Sequence, residues 1–477
     1  MASIRYKKRG NKWYVYEITY YWDKELKRGR QTSTYLGNAD TEGGTYAKTG
    51  KQSSARPKME KAIVDFGDCY AINEMGKTIG LQQVISDSFG DLADSALNLA
   101  CFQIIEGTAM QSMEDWYEGN IASTLFKKAK VTSQDTSRVI HKLGNPALQK
   151  QFFKHYIARF FPEKTGLLID STALPSAINC SINAYGHTAD GIKENITALM
   201  LVEKTTKLPI YFRAVGGDIA DISTLKTTIA EISELGLKTE SAILDAGFCS
   251  KENLQFMCSQ ELDFVTRLPK SHNIFFDLVD ELKVTESIAT LVKYGDRIVF
   301  IESKETTVYD NKMFVHVILD PNKKAKDMQM AMKNTIDDIQ TTEQASEIDK
   351  KLKYSGLLIL LSKTKIEKEE ILPTYYTRQA IEQIFGFAKS NNNLLPLRVH
   401  SEKSINGYLM LVFLSLILFI SMREKLKSAM TMDQALIRLR GLKAKIYENH
   451  IIVQEPNRKV KDIAKRLNII LPTSLGV

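Results

Sequence analysis

Asp170 follows the apolar run TGLLI and Asp245 follows AIL, so that each carboxylate stands directly behind three apolar residues. That is the pattern of a short buried strand ending in an acid. Two neighbouring strands that end in carboxylates can hold a hard divalent cation through oxygen ligands, at about 2.0 to 2.1 Å for Mg²⁺. Taken singly, each is more simply a strand-end Asp capping a turn, so the pair needs a third acid. It stands in YYTRQAIEQIFGFAK, where Tyr375, Arg378, Glu382 and Lys389 recur at offsets that, at about 100° per residue, confine them to a sector of about 60° on one helix face. Ile381, Ile384, Phe385 and Ala388 lie on the opposing side and supply the face that packs on a sheet, which leaves the polar face pointing outward. From spacing alone, a solvated stripe with an i, i+4 Arg–Glu pair explains the same residues equally well.

The elements around these residues alternate strand and helix after Pro162. TGLLID is a short strand, and ITALMLVE and LPIYFRAV, joined by KTTK, read as a hairpin. Asp221 can cap a helix running to Leu235, with Gly236 as its stop. Strand SAILD, a helix over Lys251 to Gln260 and strand DFVTRL follow. The order β, β-hairpin, α, β, α, β is that of a ribonuclease-H-like α/β domain with a mixed sheet. Residues 271 to 350 interrupt it with β-rich sequence such as DRIVFIES and KMFVHVILD. GLLILLS and a helix from Pro373 resume the core, so the insertion is expected to be nearly a domain in itself.

At 477 residues the chain exceeds what one core normally organises. The expected division is a basic β-hairpin module and linker over 1–60, a helical, DNA-binding domain over 61–162, the first part of the core over 163–270, and the β-rich insertion over 271–352. The second part of the core over 353–425 and a basic C-terminal segment over 426–477 complete it. Residues 1 to 60 hold 13 Lys/Arg against 6 Asp/Glu and residues 421 to 477 hold 12 against 5, while the body between is net acidic, with 39 against 45. Basic ends on an acidic body suit a polyanion, although solvated surface alone gives the same count. Five cysteines without C-x-x-C spacing suggest neither a disulfide framework nor a zinc site. The stretch Tyr408 to Met422 is short for a membrane span and carries Ser415 and Ser421, so a fully buried helix is expected. The segment from Gly44 to Lys51 is a near-miss phosphate loop with Gln52 in place of Ser or Thr, so no nucleotide site is expected. The N-terminus MASIRYKKRG lacks an apolar signal core, and a cytoplasmic location follows as the expectation.

The spacing Y-x2-R-x3-E-x6-K matches the Tyr-Arg-Glu-Lys signature of the insertion-sequence family four superfamily of DDE transposases, which are bacterial enzymes. IDSTAL around Asp170, VGGDIAD after the hairpin, LDAGF around Asp245 and LPLRVHSEKSINGYLMLVFLSLIL after the signature also resemble that family, over roughly residues 70 to 430. The resemblance implies Mg²⁺-dependent cleavage of DNA at transposon ends and strand transfer into a target. Asp170, Asp245 and Glu382 would hold two Mg²⁺ ions, with Mn²⁺ able to substitute, about 3.5 to 4 Å apart. Tyr375, Arg378 and Lys389 would contact DNA phosphates beside the scissile bond, and the enzyme would work on double-stranded DNA at the nucleoid as a homodimer. A hairpin intermediate is implied, yet the Trp that some relatives place in the insertion is missing, since Trp13, Trp22 and Trp116 all lie outside it. Tyr294, Phe300, Tyr309 and Phe314 stand as substitutes. His187 and His400, near the site in sequence, read as structural. The alternative function is a domesticated DNA-binding regulator with an idle nuclease fold.

Overall fold

A computed structural model describes residues 2–10, 12–23, 28–46, 60–176, 178–188, 191–219, 221–333, 352–390, 399 and 401–476. It divides into two compact units, residues 1–61 with 447–449 and the remainder. In the first, β1 (Ala2–Arg9), β2 (Lys12–Asp23) and β3 (Arg28–Ala39) form an antiparallel sheet in that order. The hairpin expected there is a three-stranded sheet, because β1 carries too few apolar residues in a basic run to register as a strand. One face buries Val15 and Ala39. On the other, Tyr14 and Tyr16 meet Tyr35 at ring-centroid distances of 6.0 and 5.4 Å, and the Lys7 ammonium sits 5.5 Å from the centre of the Tyr16 ring.

The second unit is built on a mixed sheet whose core is β5 (Thr165–Pro175), β7 (Gly191–Glu203), β8 (Pro209–Gly216), β9 (Thr239–Leu244) and β10 (Asp263–Leu268). The spatial order is β8-β7-β5-β9-β10, antiparallel from β8 to β5 and parallel from β5 to β10. Three antiparallel strands followed by two parallel ones, joined through helices at Asp221–Glu234 and Lys251–Ser259, make the ribonuclease-H-like core. A short β6 (Ala184–Thr188), which has no alternating pattern in sequence, pairs with the start of β7.

The insertion departs from expectation. Its strands β11 (Leu291–Tyr294), β12 (Arg297–Val308) and β13 (Asn311–Leu319) form no separate sheet. They continue the core sheet through β14 (Leu357–Ser362), which pairs antiparallel with both β13 and β10. The physical reason is edge protection: β14 covers β10, and its own far edge would present a bare row of backbone donors and acceptors, which β13 and the strands beyond it cover. His316, fully buried, bridges the strands, with ring nitrogens 2.8 Å from Ser303 Oγ and 3.1 Å from Ser362 Oγ.

The helices between Gly67 and Phe160 are not a free-standing domain either. They share one apolar core with the sheet, and the helix Glu402–Leu426 runs through it. That helix is long and apolar enough to cross a membrane, and 89% of its most apolar 18-residue window is buried inside the protein. Phe413 lies 5.4 to 6.3 Å from the rings of Phe152, Phe153, Tyr156 and Phe212, and the Ser415 hydroxyl is 2.8 Å from Gln103 Oε1. The C-terminal segment folds back as well: β15 (Lys443–Tyr447), β16 (His450–Val453) and β17 (Ser474–Gly476) form a sheet with β4 (Glu60–Asp65), so the segments expected over 61–162 and 426–477 share one sheet. The linker after residue 46 lies outside the described residues.

Where the helix Ser133–Leu143 ends, it meets the start of Glu402–Leu426 backbone to backbone. A Cβ on Gly407 would come within 1.8 Å of the Ile140 carbonyl oxygen, and one on Gly144 within 1.7 Å of that of Lys403. Gly407→Ala is therefore expected to lower the unfolding free energy by about 3 kcal/mol, the upper range for overpacking a tight site. Urea denaturation measures it, and an unchanged midpoint would contradict this close approach.

Candidate active site

β5 and β9 are adjacent and parallel, with Ile169 opposite Leu244. The next residue on each is an aspartate. β9 ends at Leu244, and Asp245 opens a short turn, Ala246–Phe248. Asp170 does not end its strand as expected, because β7 goes on pairing with β5 as far as Pro175. Its carboxylate therefore stands where β9 has peeled away, in the open notch beside a continuing strand.

The helix that supplies the third acid is two helices, Lys368–Tyr376 and Gln379–Ser390, not one. Between them the backbone tightens into three-residue turns, with Arg378 N–H donating to Tyr375 O at 3.2 Å and Ile381 N–H to Arg378 O at 2.9 Å. The expected single polar face still holds together across the break, but Tyr375 and Arg378 turn inward while Glu382 stays exposed. Tyr375 is buried, and its hydroxyl donates to Asp245 Oδ1 at 3.2 Å. Arg378 lies at the break with its side chain only 15% exposed. Its guanidinium touches all three carboxylates: Asp170 Oδ2 at 2.8 Å, Glu382 Oε1 at 2.8 Å and Asp245 Oδ1 at 3.6 Å. Lys389 donates to Ala173 O at 3.0 Å, three residues beyond Asp170 on β5. All six residues singled out by sequence thus gather around one notch.

The electrostatics follow from burial. Desolvation raises the Asp170 carboxyl from its ordinary 3.8 to about 7, with Arg378 pulling it back and Asp245 and Glu382 adding to the rise. Burial also works against the Arg378 charge, but Asp170, Asp245 and Glu382 outweigh it and hold the guanidinium pKa above its usual value. Tyr375 is pushed up by burial and by Asp245, and Lys389 is pushed down by burial.

Does this donor set suit a divalent ion? Three carboxylates converging on one cation are the hard oxygen ligands that Mg²⁺ and Mn²⁺ take. Their present spacing fits the guanidinium that separates them, and among the described residues no three acids or histidines lie close enough to share a single ion. The residues suit a metal, provided Arg378 withdraws.

Of the aromatic candidates in the insertion, Tyr294 stacks on Tyr376 at 5.4 Å, next to Tyr375. Tyr309 is bonded through its hydroxyl to His272 at 3.1 Å. Phe300 and Phe314 are partly buried on the inserted strands. His400 and the side chain of His187 lie outside the described residues. Sequence reasoning missed Asp221 as a neighbour of the site: read as a helix cap, it also accepts a hydrogen bond from Ser171 and feels the charge of Asp245. The acid in VGGDIAD was visible, but nothing in its local pattern tells a cap from a carboxylate aimed at a site.

A ribonuclease-H-like sheet with carboxylates at the diverging ends of its two central strands and a third on a following helix defines a class of DNA-processing folds. A family model described as "Transposase DDE domain" matches residues 161–418, more than half of the chain, and the chain belongs to that family. It is thus a DDE transposase. No curated protein matches it. Among solved structures it is similar to one described as "Cryo-EM structure of piggyBac transposase synaptic complex with hairpin DNA (SNHP)", at 11% identity and a TM-score of 0.42, over 78% of this chain and 76% of that one.

A carboxyl whose folded-state pKa is raised contributes stability that is complete below the unfolded value and is lost as pH rises through the folded one. For Asp170 that window runs from about 4 to about 7. With divalent ions chelated, Asp170→Asn should gain in melting temperature relative to wild type between pH 5 and pH 8. A difference that stays constant across that range would show that the folded protein carries Asp170 ionised throughout.

Proposed function

We propose that this transposase is a bacterial insertion-sequence enzyme of the Tyr-Arg-Glu-Lys branch, which cleaves DNA at transposon ends and joins the freed 3′ ends to target DNA. The observation that carries the reading is the convergence of Asp170, Asp245 and Glu382 on one cationic group. Transposases of this family generally use divalent metal ions, and these three carboxylates are the residues that would hold Mg²⁺, or Mn²⁺ in its place. When bound, the metal supplies activation of the attacking oxygen and stabilisation of the leaving one. Arg378 then leaves the carboxylates and offers its fork to a phosphate beside the scissile bond. Tyr375 keeps Asp245 oriented, and Lys389, anchored on β5, brings a positive charge to the backbone beyond Asp170.

The partner is double-stranded DNA, in the form of terminal inverted repeats and a target. The basic, tyrosine-bearing face of the N-terminal sheet is suited to phosphate contact, with affinity coming from counterion release. Joining two ends to one target requires two sites held together, which favours a homodimer on DNA. If a hairpin forms on the transposon end, Tyr294, stacked on Tyr376 beside the site, is the aromatic placed to meet an unstacked base.

Glu382→Gln, Asp170→Asn and Asp245→Asn keep side-chain shape and remove a ligating charge. Each is expected to reduce Mg²⁺-dependent nicking of an end-containing duplex to background while leaving DNA binding intact, since binding is mostly phosphate contact. Arg378→Ala and Lys389→Ala should slow nicking or block later steps. Nicking, hairpin formation and strand transfer are assayed separately, and wild-type nicking by Glu382→Gln would remove this helix from the chemistry. Deleting residues 1–60 should weaken end binding and flatten the slope of log affinity against log salt by about 0.9 for each phosphate no longer neutralised. An unchanged slope would mean that the N-terminal sheet does not touch DNA.

A further inference from the structure

The turn that carries Asp245 and the first turn of the helix Asp221–Glu234 are locked together. Asn253, 1% exposed, donates from its side-chain amide to Ile222 O and to Phe248 O, both at 2.9 Å. Ile222 follows Asp221, and Phe248 closes the turn that Asp245 opens. The lock sets Asp221 Oδ2 directly over Gly247, where even a methyl group would come within 2.8 Å of it. Ser171, whose own N–H donates to Asp170 Oδ1 at 2.9 Å, lies near enough to the same carboxylate to favour its charged form, against the burial that raises its pKa. Asp221 therefore spans the gap between β5 and β9: one side reaches the residue after Asp170 and the other covers the second residue after Asp245.

A cap needs its carboxylate turned toward the first N–H groups of its own helix, whereas this one reaches out of the helix, over Gly247 and toward Asp245. A fourth negative charge in that place would be costly unless the site is meant to receive more positive charge than Arg378 alone supplies.

We propose that Asp221 is a positioning residue for the divalent ion of this site. It packs over the turn that follows Asp245, beside Ser171, and adds negative charge next to Asp245 without ligating the ion. The inference rests on the carboxylate reading given above, and its test separates the two. Full-length protein is titrated with Mn²⁺ alone, by calorimetry or by the loss of the free-ion resonance signal. Asp221→Asn retains an oxygen for Ser171 but not the charge, and Gly247→Ala retains the charge but displaces the carboxylate. Both variants are expected to weaken Mn²⁺ binding about tenfold, the lower range for outer partners of metal ligands, with unchanged melting temperature in chelator. The Mg²⁺ concentration for half-maximal nicking should rise by a similar factor, while the rate at saturating Mg²⁺ recovers. If both variants bind Mn²⁺ within twofold of wild type while Asp245→Asn no longer binds it, Asp221 is a helix cap and the inference fails alone. If Asp245→Asn also binds as wild type, the carboxylate reading itself fails.

Discussion

The contact on which the site depends is the Arg378 guanidinium among Asp170, Asp245 and Glu382. Three carboxylates gathered around one guanidinium repel, and one of them, Asp170, is removed from water on most sides. An unpaired buried charge of this kind costs several kcal/mol per ion. Two outcomes relieve it, protonation and a cation, and both are present: burial lifts the Asp170 pKa to about 7, and Arg378 reaches every member of the group. The cation comes from the helix break, because a guanidinium in the middle of a regular helix packed on the sheet would have to choose between flanking turns. At the tightened turn it stands between Tyr375 on one helix and Glu382 on the next.

Everything behind the notch serves to keep the strand ends in place. β5 is held on both sides up to Ile169 and on one side after it, so the departure of β9 creates the opening without loosening the strand that carries Asp170. Behind the sheet, the Glu402–Leu426 helix packs on β8 and on the helices of the N-terminal half, and Phe419 stacks on Phe387 of the Gln379–Ser390 helix at 3.4 Å. One face of that helix thus answers to the core while Glu382 and Lys389 answer to the notch. A shift of the buried helix would be felt at Glu382.

The sequence made much of this legible because strands and site share a local signature. Apolar runs ending in Asp170 and Asp245, the KTTK hairpin and the DFVTRL strand all follow from nearest-neighbour patterning, and the Tyr375, Arg378, Glu382, Lys389 spacing survives as a common face. What stayed hidden depends on partners distant in the chain. The continuation of β5 past Asp170 is decided by β7, the incorporation of β11 to β13 into the core sheet by the free edge of β14, and the pairing of β4 with β15 by a partner at the other end of the chain. Helical phase likewise distinguishes one face from another but not inside from outside, so the face read as outward is exposed at Glu382 and turned inward at Tyr375 and Arg378. The break at Thr377 and Arg378 has no glycine or proline of its own to announce it. Pro373 lies one turn earlier, inside a helix.

Arg378 cannot hold three carboxylates and a DNA phosphate at once, and that exclusion links the parts of the proposed chemistry. The three acids and the one guanidinium leave the group net negative, a charge that would favour a divalent ion in the proposed chemistry. Were the carboxylate oxygens to hold a metal, the guanidinium would lose its reason to stay, and a phosphate beside the notch would give it somewhere to go. Exchange of one cation for another at the carboxylates, with release of the first to an anion, never requires a bare cluster or a bare arginine in the buried notch. Each of the two steps favours the other, because the ligand of one is the displaced partner of the other. Under the proposed function, the same coupling would assemble the site for chemistry only when metal and DNA are both present, a condition imposed by one side chain's choice of partner.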